Sequence, residues 1–341
     1  VHKNDTGIYV MLQARFEPGN IGLCQYGPTI QSTPANYLRM HKGKPTPYLE
    51  YFFEFQKGAK FLSTTSQLDL GKRYFRKTKD LTYILVDEML ETVENMIWVE
   101  LKVLWELMHK DHFFNTDLRS MLGVFDWQSL HTDSNKEISW LSAPHGQRET
   151  GNLISLDELA DWDVTKNGIE DISNRGISVK MFRSTCTNRE VRSWTQPLVC
   201  VDEQSHFTIC IREFNDGLKV LISYEDEFGI EGGVSVMPSY CSYSGTNGFT
   251  EREGDVLLNR VYQSEEGGRF YQNEGVYSLY KVEKTLHSED NQRWLDIREF
   301  KLLLQTSNLV GIQLRCMASM LLSELNPTLV SRTYKAIPTT L

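Results

Sequence analysis

Three side chains in this chain are of the types that hold a mononuclear iron ion: His131, Asp133 and His206. Two imidazoles and one carboxylate can bind iron(II) on one face and leave positions open for oxygen and an oxoacid. Arg212 lies on the same predicted strand face as His206, where it would bind a carboxylate. Together these residues predict a non-haem iron oxygenase on a double-stranded β-helix fold. The competing interpretation, which we prefer, is that His131 and Asp133 lie in an irregular polar loop and are simply solvated.

A second spacing is typical of magnesium-dependent nucleases. Glu100 and Lys102 form an acidic-x-lysine element on a predicted strand, and Asp69 and Asp80 precede it in the chain. Nucleases of the restriction type arrange acidic residues and a lysine in this way around the metal. Alternation along the strand already explains both polar positions as one solvent-facing or interface-facing side, and we prefer that interpretation.

Other chemical signatures are weak or missing. His109 and His112 would form a metal pair on a helix, but after a strand they flank a turn. The sequence contains no phosphate-binding glycine loop, no GxSxG elbow and no HExxH motif. Its six cysteines include no CxxC pair, and all are predicted to be reduced. We therefore expect no catalytic residues and no cofactor, with a divalent cation as the open alternative.

The composition is that of a globular protein. The chain has 341 residues, 40% hydrophobic and 24% charged, which is enough for one large β domain or two smaller domains. No segment approaches the ~20 apolar residues of a membrane helix, and the chain begins without a secretory signal. The net charge of −9 argues against broad electrostatic binding of nucleic acid. The densest basic patch, at 72–79, is better explained as a solvated loop than as a phosphate site.

The most informative segment spans residues 81–108, because its hydrophobic period changes partway along. Helical spacing from 84 to 97 gives way to alternation from 97 to 108, which predicts a short helix running directly into a long strand. Ser155 and Glu158 predict a capped helical turn at 157–162. Alternation elsewhere predicts strands at 7–16, 48–56, 177–182, 198–201, 206–214, 218–224, 229–237, 276–286 and 310–317.

These elements predict a mainly β fold. Asn215-Asp216-Gly217 joins two of the strands into a hairpin. No βαβ rhythm and no repeat period are found, so doubly wound sheets, propellers and solenoids are disfavoured. We expect an antiparallel β-sandwich (jelly roll) with one short helix and long loop insertions. The prediction is a single jelly-roll domain over residues 1–341, with inserted surface loops at about 17–47, 111–176 and 238–275.

The junction at 81–108 resembles the capsid proteins of parvoviruses, particularly of the densovirus kind. The similarity lies in the segments LVDEML, VELKV and HKDHFFNT, which begin at residues 85, 99 and 109. In that family a short helix precedes a long jelly-roll strand, which runs into a segment with a basic residue, a Phe and an Asn or Thr. The chain departs from the family in having no Gly-rich amino-terminal stretch.

The resemblance implies a structural protein, a self-assembling subunit of a non-enveloped icosahedral viral capsid that encloses nucleic acid. Its partners would be copies of itself in a homo-oligomeric shell and packaged nucleic acid held by local contacts, with no transmembrane segment. Its location would be the virion, assembled inside the host cell, and otherwise soluble and intracellular. The aromatic side chains expected at subunit interfaces are Trp98, Trp105, Phe113 and Phe114.

Overall fold

A computed structural model describes residues 1–40, 42–53, 58–69, 74–75, 77–130, 154–173, 176–187, 189, 191–227, 229–230, 233–243, 245, 248–284 and 290–325. The fold is mainly β, as predicted. The strands are β1 (His2–Asn4), β2 (Gly7–Phe16), β3 (Cys24–Pro28), β4 (Ala59–Leu68), β5 (Thr78–Val86), β6 (Met96–Glu100), β7 (Trp162–Thr165), β8 (Gly168–Asp171), β9 (Ile177–Thr185), β10 (Ser193–Val201), β11 (Ser205–Phe214), β12 (Gly217–Asp226), β13 (Val234–Pro238), β14 (Tyr240–Ser242), β15 (Val256–Ser264), β16 (Glu274–Lys281) and β17 (Gln292–Asp296). The α-helices are α1 (Pro34–Tyr37), α2 (Glu50–Phe53), α3 (Leu101–Leu107), α4 (Thr116–Val124), α5 (Ile297–Leu304) and α6 (Ile312–Leu325).

The strands form three sheets among the described residues. The N-terminal sheet has the order β3-β2-β1-β5-β4, with β6 added beside β2. The C-terminal sheet has the order β13-β12-β11-β16-β15, with β17 beside β12 and β14 beside β11. A middle sheet of four strands, β10-β9-β8-β7, lies between them in the chain.

The N-terminal and C-terminal sheets repeat one topology. Each has a parallel pair at its centre, β1 with β5 and β11 with β16, and in each the added strand leads directly into a helix, β6 into α3 and β17 into α5. Identical residues recur at one constant spacing along the chain: Gln67 with Gln263, Trp98 with Trp294, and Arg119 with Arg315. The chain therefore contains two related halves, a repeat too long and too diverged for a search for short periods to find.

The two halves meet through α4 and α6. Both helices are buried over most of their length, and Gly123 on α4 approaches the backbone of α6 at Arg315 so closely that no side chain fits. The larger hydrophobic core lies between the C-terminal sheet, α5 and α6. A second core lies between β2, α3 and α4 and includes Leu104 and Trp105.

The helix-then-strand prediction at 81–108 is wrong. Strand β5 continues to Val86, where the helix was predicted, and an irregular segment follows it. Strand β6 then ends at Glu100, and helix α3 begins at Leu101, where the long strand was predicted. Leu101, Leu104 and Trp105 are buried at helical spacing. Because apolar residues from 97 to 108 stand at both alternate and helical positions, periodicity alone could not distinguish the two structures.

Several other predicted elements also differ. Helix α2 at Glu50–Phe53 and helix α6 from Ile312 lie within the predicted strands at 48–56 and 310–317, so the expectation of one short helix is wrong. Residues 54–56 lie outside the described residues. The predicted loops also contain regular elements. Strand β3 and helix α1 lie within 17–47, helix α4 and strands β7 and β8 lie within 111–176, and strands β14 and β15 lie within 238–275. A jelly-roll sandwich is not confirmed, and the two central parallel pairs contradict a wholly antiparallel arrangement.

Other predictions are confirmed. β2 and the β11–β12 hairpin occupy the predicted positions, and Gly217 has the positive φ of 122° that the hairpin turn requires. Ser155 and Glu158 form the predicted capping box, but the turn is a short 3-10 helix at Leu156–Glu158 and not at 157–162, because β7 begins at Trp162. No helix in the described part of the chain is both long enough and apolar enough to cross a bilayer.

Candidate active site

The predicted iron ligands are not brought together in the described part of the chain. His131 and Asp133 lie outside the described residues. His206 is on β11, paired with Ser242 and Val276, and the guanidinium of Arg212 lies 4.8 Å from the centre of the Phe214 ring. Among the residues that the structure describes, no group of three His, Cys, Asp or Glu side chains is arranged to hold a metal ion.

The two other histidines and the nuclease candidates also have ordinary structural positions. His109 Nδ1 lies 3.6 Å from Glu324, and His112 Nε2 lies 2.8 Å from Glu274. Glu100 ends β6 whereas Lys102 is exposed on α3, so these two residues do not share a strand face. The acidic-x-lysine arrangement of a nuclease is therefore not formed.

The four aromatic residues expected at a subunit interface pack within the chain. Trp105 and Phe114 are buried in the core around α3 and α4. Phe113 packs beside them, with its ring 5.3 Å from that of Tyr26. Trp98 donates its indole N–H to the Leu90 carbonyl at 2.9 Å. Intramolecular packing accounts for all four.

The densest group of buried ion pairs in the described residues forms where both halves of the chain meet. We call it the charge cluster and define it as Asp69, Lys79, Asp117, Glu266 and Arg269. Asp69 and Lys79 come from the β4–β5 hairpin and Asp117 from the first turn of α4. Glu266 and Arg269 come from the β15–β16 loop of the other half. The cluster exists only because the two halves pack together.

Local structure fixes each contributing element. Asn115 caps α4, its Oδ1 accepting the Leu118 N–H at 2.9 Å. The β15–β16 loop is held by two backbone bonds, from Gly268 N–H to Pro18 at 2.8 Å and from Gln272 N–H to Gly19 at 2.7 Å. Gly19 has a φ of 93°, and a Cβ at this position would collide with the Phe270 carbonyl oxygen, so no residue with a side chain fits there without strain.

Lys79 lies at the centre of the charge cluster. Its Nζ is 2.6 Å from Glu266 Oε1, 2.8 Å from Asp117 Oδ1 and 3.4 Å from Asp69 Oδ1. Arg269 Nη1 lies 2.7 Å from Asp69 Oδ2 and 2.9 Å from Glu266 Oε2. Asp69 and Glu266 are thus each shared by the same two cations. Such charge-assisted contacts fix the carboxylates in one orientation.

A hydrogen-bond network extends the charge cluster toward β2. Gln31 Nε2 donates to Asp117 Oδ2 and to Glu17 Oε1, the second at 3.2 Å. Asn115 Nδ2 donates to Glu17 Oε2 at 3.2 Å, and Arg15 lies 3.3 Å from Glu17 Oε1. Several donors therefore satisfy the hydrogen-bonding capacity of the Glu17 carboxylate. Glu17 holds Gln31 in place, and Gln31 in turn holds Asp117.

Solvent reaches the charge cluster mainly past its cations. The side chains of Asp69, Asp117 and Glu266 are at most 8% exposed, whereas those of Lys79 and Arg269 are 21% and 14% exposed. Lys77, whose Nζ lies 3.8 Å from Asp69, is 42% exposed at the outer edge. An anionic ligand approaching from solvent would therefore meet positive charge first and carboxylates behind it.

The surroundings divide the carboxylates into two kinds. Burial raises the pKa of Glu266 to about 8, with Lys79 opposing and the neighbouring Asp117 and Asp69 adding to the rise. Burial also acts to raise the pKa of Asp69, but Lys79 and Arg269 outweigh it and the net pKa is lowered. Burial disfavours the charge on Lys79, yet the three carboxylates outweigh it and raise the pKa of the ammonium. Glu266 is therefore suited to exchange a proton near neutral pH, while Asp69 and Lys79 stay charged.

Sequence analysis found only part of this site. Asp69 was considered for a nuclease and Lys79 for a solvated loop, while Asp117, Glu266 and Arg269 were not singled out. One signal was available in the sequence: a pattern of Gln, acidic residue, Gly, Arg and two aromatic residues occurs at 67–75 and again at 263–271. A repeated pattern of this kind marks equivalent loops in the two halves, and the second copy contains Glu266 and Arg269.

Comparison with known proteins assigns a family. A family model described as NDP-hexose 2,3-dehydratase matches residues 1–125 and 135–321. Three curated relatives carry the name dTDP-4-dehydro-6-deoxy-alpha-D-glucopyranose 2,3-dehydratase. The relative from Saccharopolyspora spinosa is 24% identical over 363 residues, covering 94% of this chain and 74% of the relative. Those from Streptomyces violaceoruber and Amycolatopsis orientalis are 25% and 24% identical, covering 90% and 91% of this chain and 75% and 70% of the relatives.

These matches overturn the capsid hypothesis. The resemblance to parvovirus capsid proteins, the icosahedral shell as partner and the virion as location are all wrong, because a family of dehydratases matches nearly the whole chain. The iron oxygenase alternative built on His131, Asp133 and His206 is not supported either. The short helix–strand similarity at 81–108 rested on a strand that the fold does not contain.

Proposed function

We propose, from the premise that this chain belongs to the NDP-hexose 2,3-dehydratase family, that it removes water across C2 and C3 of a nucleoside-diphosphate 4-dehydrohexose. The substrate class follows from the names of the three relatives, which act on a dTDP-linked 4-dehydro-6-deoxyglucose. We assign the reaction to the charge cluster. The observation that carries this assignment is the Glu266 carboxyl, with a pKa of about 8, held 2.6 Å from Lys79.

The chemistry of such a substrate defines what the site must supply. The C4 carbonyl makes the C3 hydrogen acidic, so a base can remove that proton and the electron pair moves to the C4 oxygen. The electron pair then moves back from the C4 oxygen, so that the C4 carbonyl re-forms, a C2–C3 double bond forms and the C2–O bond breaks. The departing hydroxyl takes up one proton and leaves as water. The enzyme must therefore supply one proton carrier and a cation for the oxygen that becomes negative.

The charge cluster contains both groups. Glu266 accepts the C3 proton and returns it to the leaving hydroxyl, so one carboxyl closes the proton balance. Lys79 and Arg269, which have the more exposed side chains, stabilise the developing negative charge on the C4 oxygen. Asp69 keeps both cations charged and in position. All of these steps are assigned to side chains of this chain.

The test is the Glu266→Gln variant, which keeps the side-chain shape and removes the titrating proton. A general base contributes about a hundredfold to ten-thousandfold to rate, so kcat with dTDP-4-dehydro-6-deoxyglucose should fall at least about a hundredfold. Affinity for dTDP and the melting temperature should change little. The matched control is Glu253→Gln, an exposed glutamate in the same half of the chain. Retention of more than a third of wild-type kcat by the Glu266 variant would remove the proton-carrier role.

A further inference from the structure

An aromatic pair, Phe182 on β9 and Tyr271 on the β15–β16 loop, lies outside the charge cluster. Their rings are stacked, with centroids 4.4 Å apart and planes at 25°. Tyr271 remains 40% exposed. The pair joins the middle sheet to the loop that contains Glu266 and Arg269.

The backbone places the aromatic pair beside the charge cluster. Residues 269–271 form a short parallel bridge with β10: Val199 N–H donates to the Arg269 carbonyl at 2.7 Å, and Tyr271 N–H donates to the Val199 carbonyl at 2.8 Å. Side chains alternate along such a segment. Because Phe270 points into the core, Arg269 and Tyr271 lie together on the opposite face.

Arg269 links the two regions. Its guanidinium reaches Asp69 and Glu266 and also lies 4.4 Å from the centre of the Tyr74 ring. Lys77, the most exposed cation at the outer edge, lies on the same side of Asp69. The order is therefore carboxylates, then cations, then an exposed aromatic ring. A nucleoside-diphosphate sugar has the same order of chemistry: a reacting sugar, a dianionic bridge and a flat base.

We propose that the aromatic pair is the nucleobase subsite, with the base stacked on the exposed ring of Tyr271 and the diphosphate held by Lys77. This proposal rests on the proposed function and assigns the part of the substrate that takes no part in elimination. Stacking recognises any base through its π face, so Tyr271 supplies affinity, whereas Lys77 recognises the phosphates shared by all substrates of this class.

The experiment measures dTDP binding by isothermal titration calorimetry for wild type, Tyr271→Ala and Tyr271→Phe. Loss of one stacking ring should weaken dTDP binding about fivefold to a hundredfold, and phenylalanine should restore it. Inorganic pyrophosphate, which has no base, should bind wild type and Tyr271→Ala equally. In turnover, Tyr271→Ala should raise KM and leave kcat within about twofold. The matched control is Tyr262→Ala, a tyrosine 38% exposed on the adjoining strand β15.

Each outcome separates the two proposals. Equal dTDP affinity in wild type and Tyr271→Ala, or no measurable binding of dTDP to wild type, overturns the nucleobase subsite. Weakening of pyrophosphate binding by Tyr271→Ala also overturns it, because the effect would then come from a displaced loop. A chain that binds dTDP through Tyr271 but does not dehydrate the sugar retains the subsite and loses the proposed function.

Discussion

Replacing Lys79 with methionine should destabilise the fold strongly, because the buried acidic side chains of Asp69, Asp117 and Glu266 share its ammonium group. At an effective dielectric constant of about 20, a contact near 3 Å corresponds to roughly 5 kcal/mol before desolvation. The cost of desolvating the charges offsets most of this electrostatic attraction. In measured cases, removal of one partner of a buried ion pair costs about 3–5 kcal/mol of unfolding free energy. Lys79 is 21% exposed, so solvent screening places the expected loss of unfolding free energy near about 3 kcal/mol.

The assay is urea unfolding at pH 7, monitored by circular dichroism. The m-value, which is the slope of unfolding free energy against urea concentration, is compared between variants. Lys60→Met is the matched control, since Lys60 is an exposed lysine on the adjoining strand β4, and its effect should stay within about 0.5 kcal/mol. Adding Asp117→Asn to Lys79→Met should recover part of the stability by removing one unpaired charge. A loss below about 1 kcal/mol for Lys79→Met, or no recovery in the double variant, would refute this account of the charge cluster.

Two further predictions concern the protonation of Glu266 and the packing of Gly19 against the β15–β16 loop that contains Glu266. Because the folded pKa of Glu266 is raised to about 8, kcat/KM should rise with pH through that value. Its contribution to stability, complete below its unfolded pKa, should be lost as pH rises through 8, which melting curves of wild type and Glu266→Gln would reveal. Gly19→Ala should cost more than about 2 kcal/mol, because its Cβ would meet the Phe270 carbonyl, whereas Gly217→Ala meets nothing and should cost less, as urea unfolding can measure.

Strong local signals in the sequence predicted the elements that depend on few distant contacts. The β11–β12 hairpin was predictable because Gly217 supplies the required positive φ between two clearly alternating strands. The cap at Ser155 was predictable for the same reason, since its hydrogen bonds join residues close in sequence. In each case the residues that specify the structure lie within a few positions of one another.

Prediction failed where helices are buried on several sides. Every residue from Ile312 to Leu321 on α6 is buried, so this part of the helix has no solvent-facing side and no clear 3.6-residue period. Val310 and three apolar positions of the helix happened to alternate, which predicted a strand at 310–317. The same ambiguity at 97–108 hid α3. Tertiary packing, which is absent from a short window of sequence, decided both structures.

The candidate site was beyond local interpretation for a different reason. Asp69, Lys79, Asp117 and Glu266 come from both halves of the chain and meet only after the halves pack. Separately, each is an ordinary charged residue near the end of a strand or helix. The repeated pattern at 67–75 and 263–271 would have indicated which loops are equivalent, although not which charges they bring together.

The most direct measurement is to incubate the purified chain with dTDP-4-dehydro-6-deoxyglucose in deuterated water and to follow the sugar by mass spectrometry and NMR. The account predicts a product that has lost one water across C2 and C3, formed by wild type and at least about a hundredfold more slowly by Glu266→Gln. An unchanged sugar after prolonged incubation with folded wild-type protein, or equal turnover by both proteins, would contradict it.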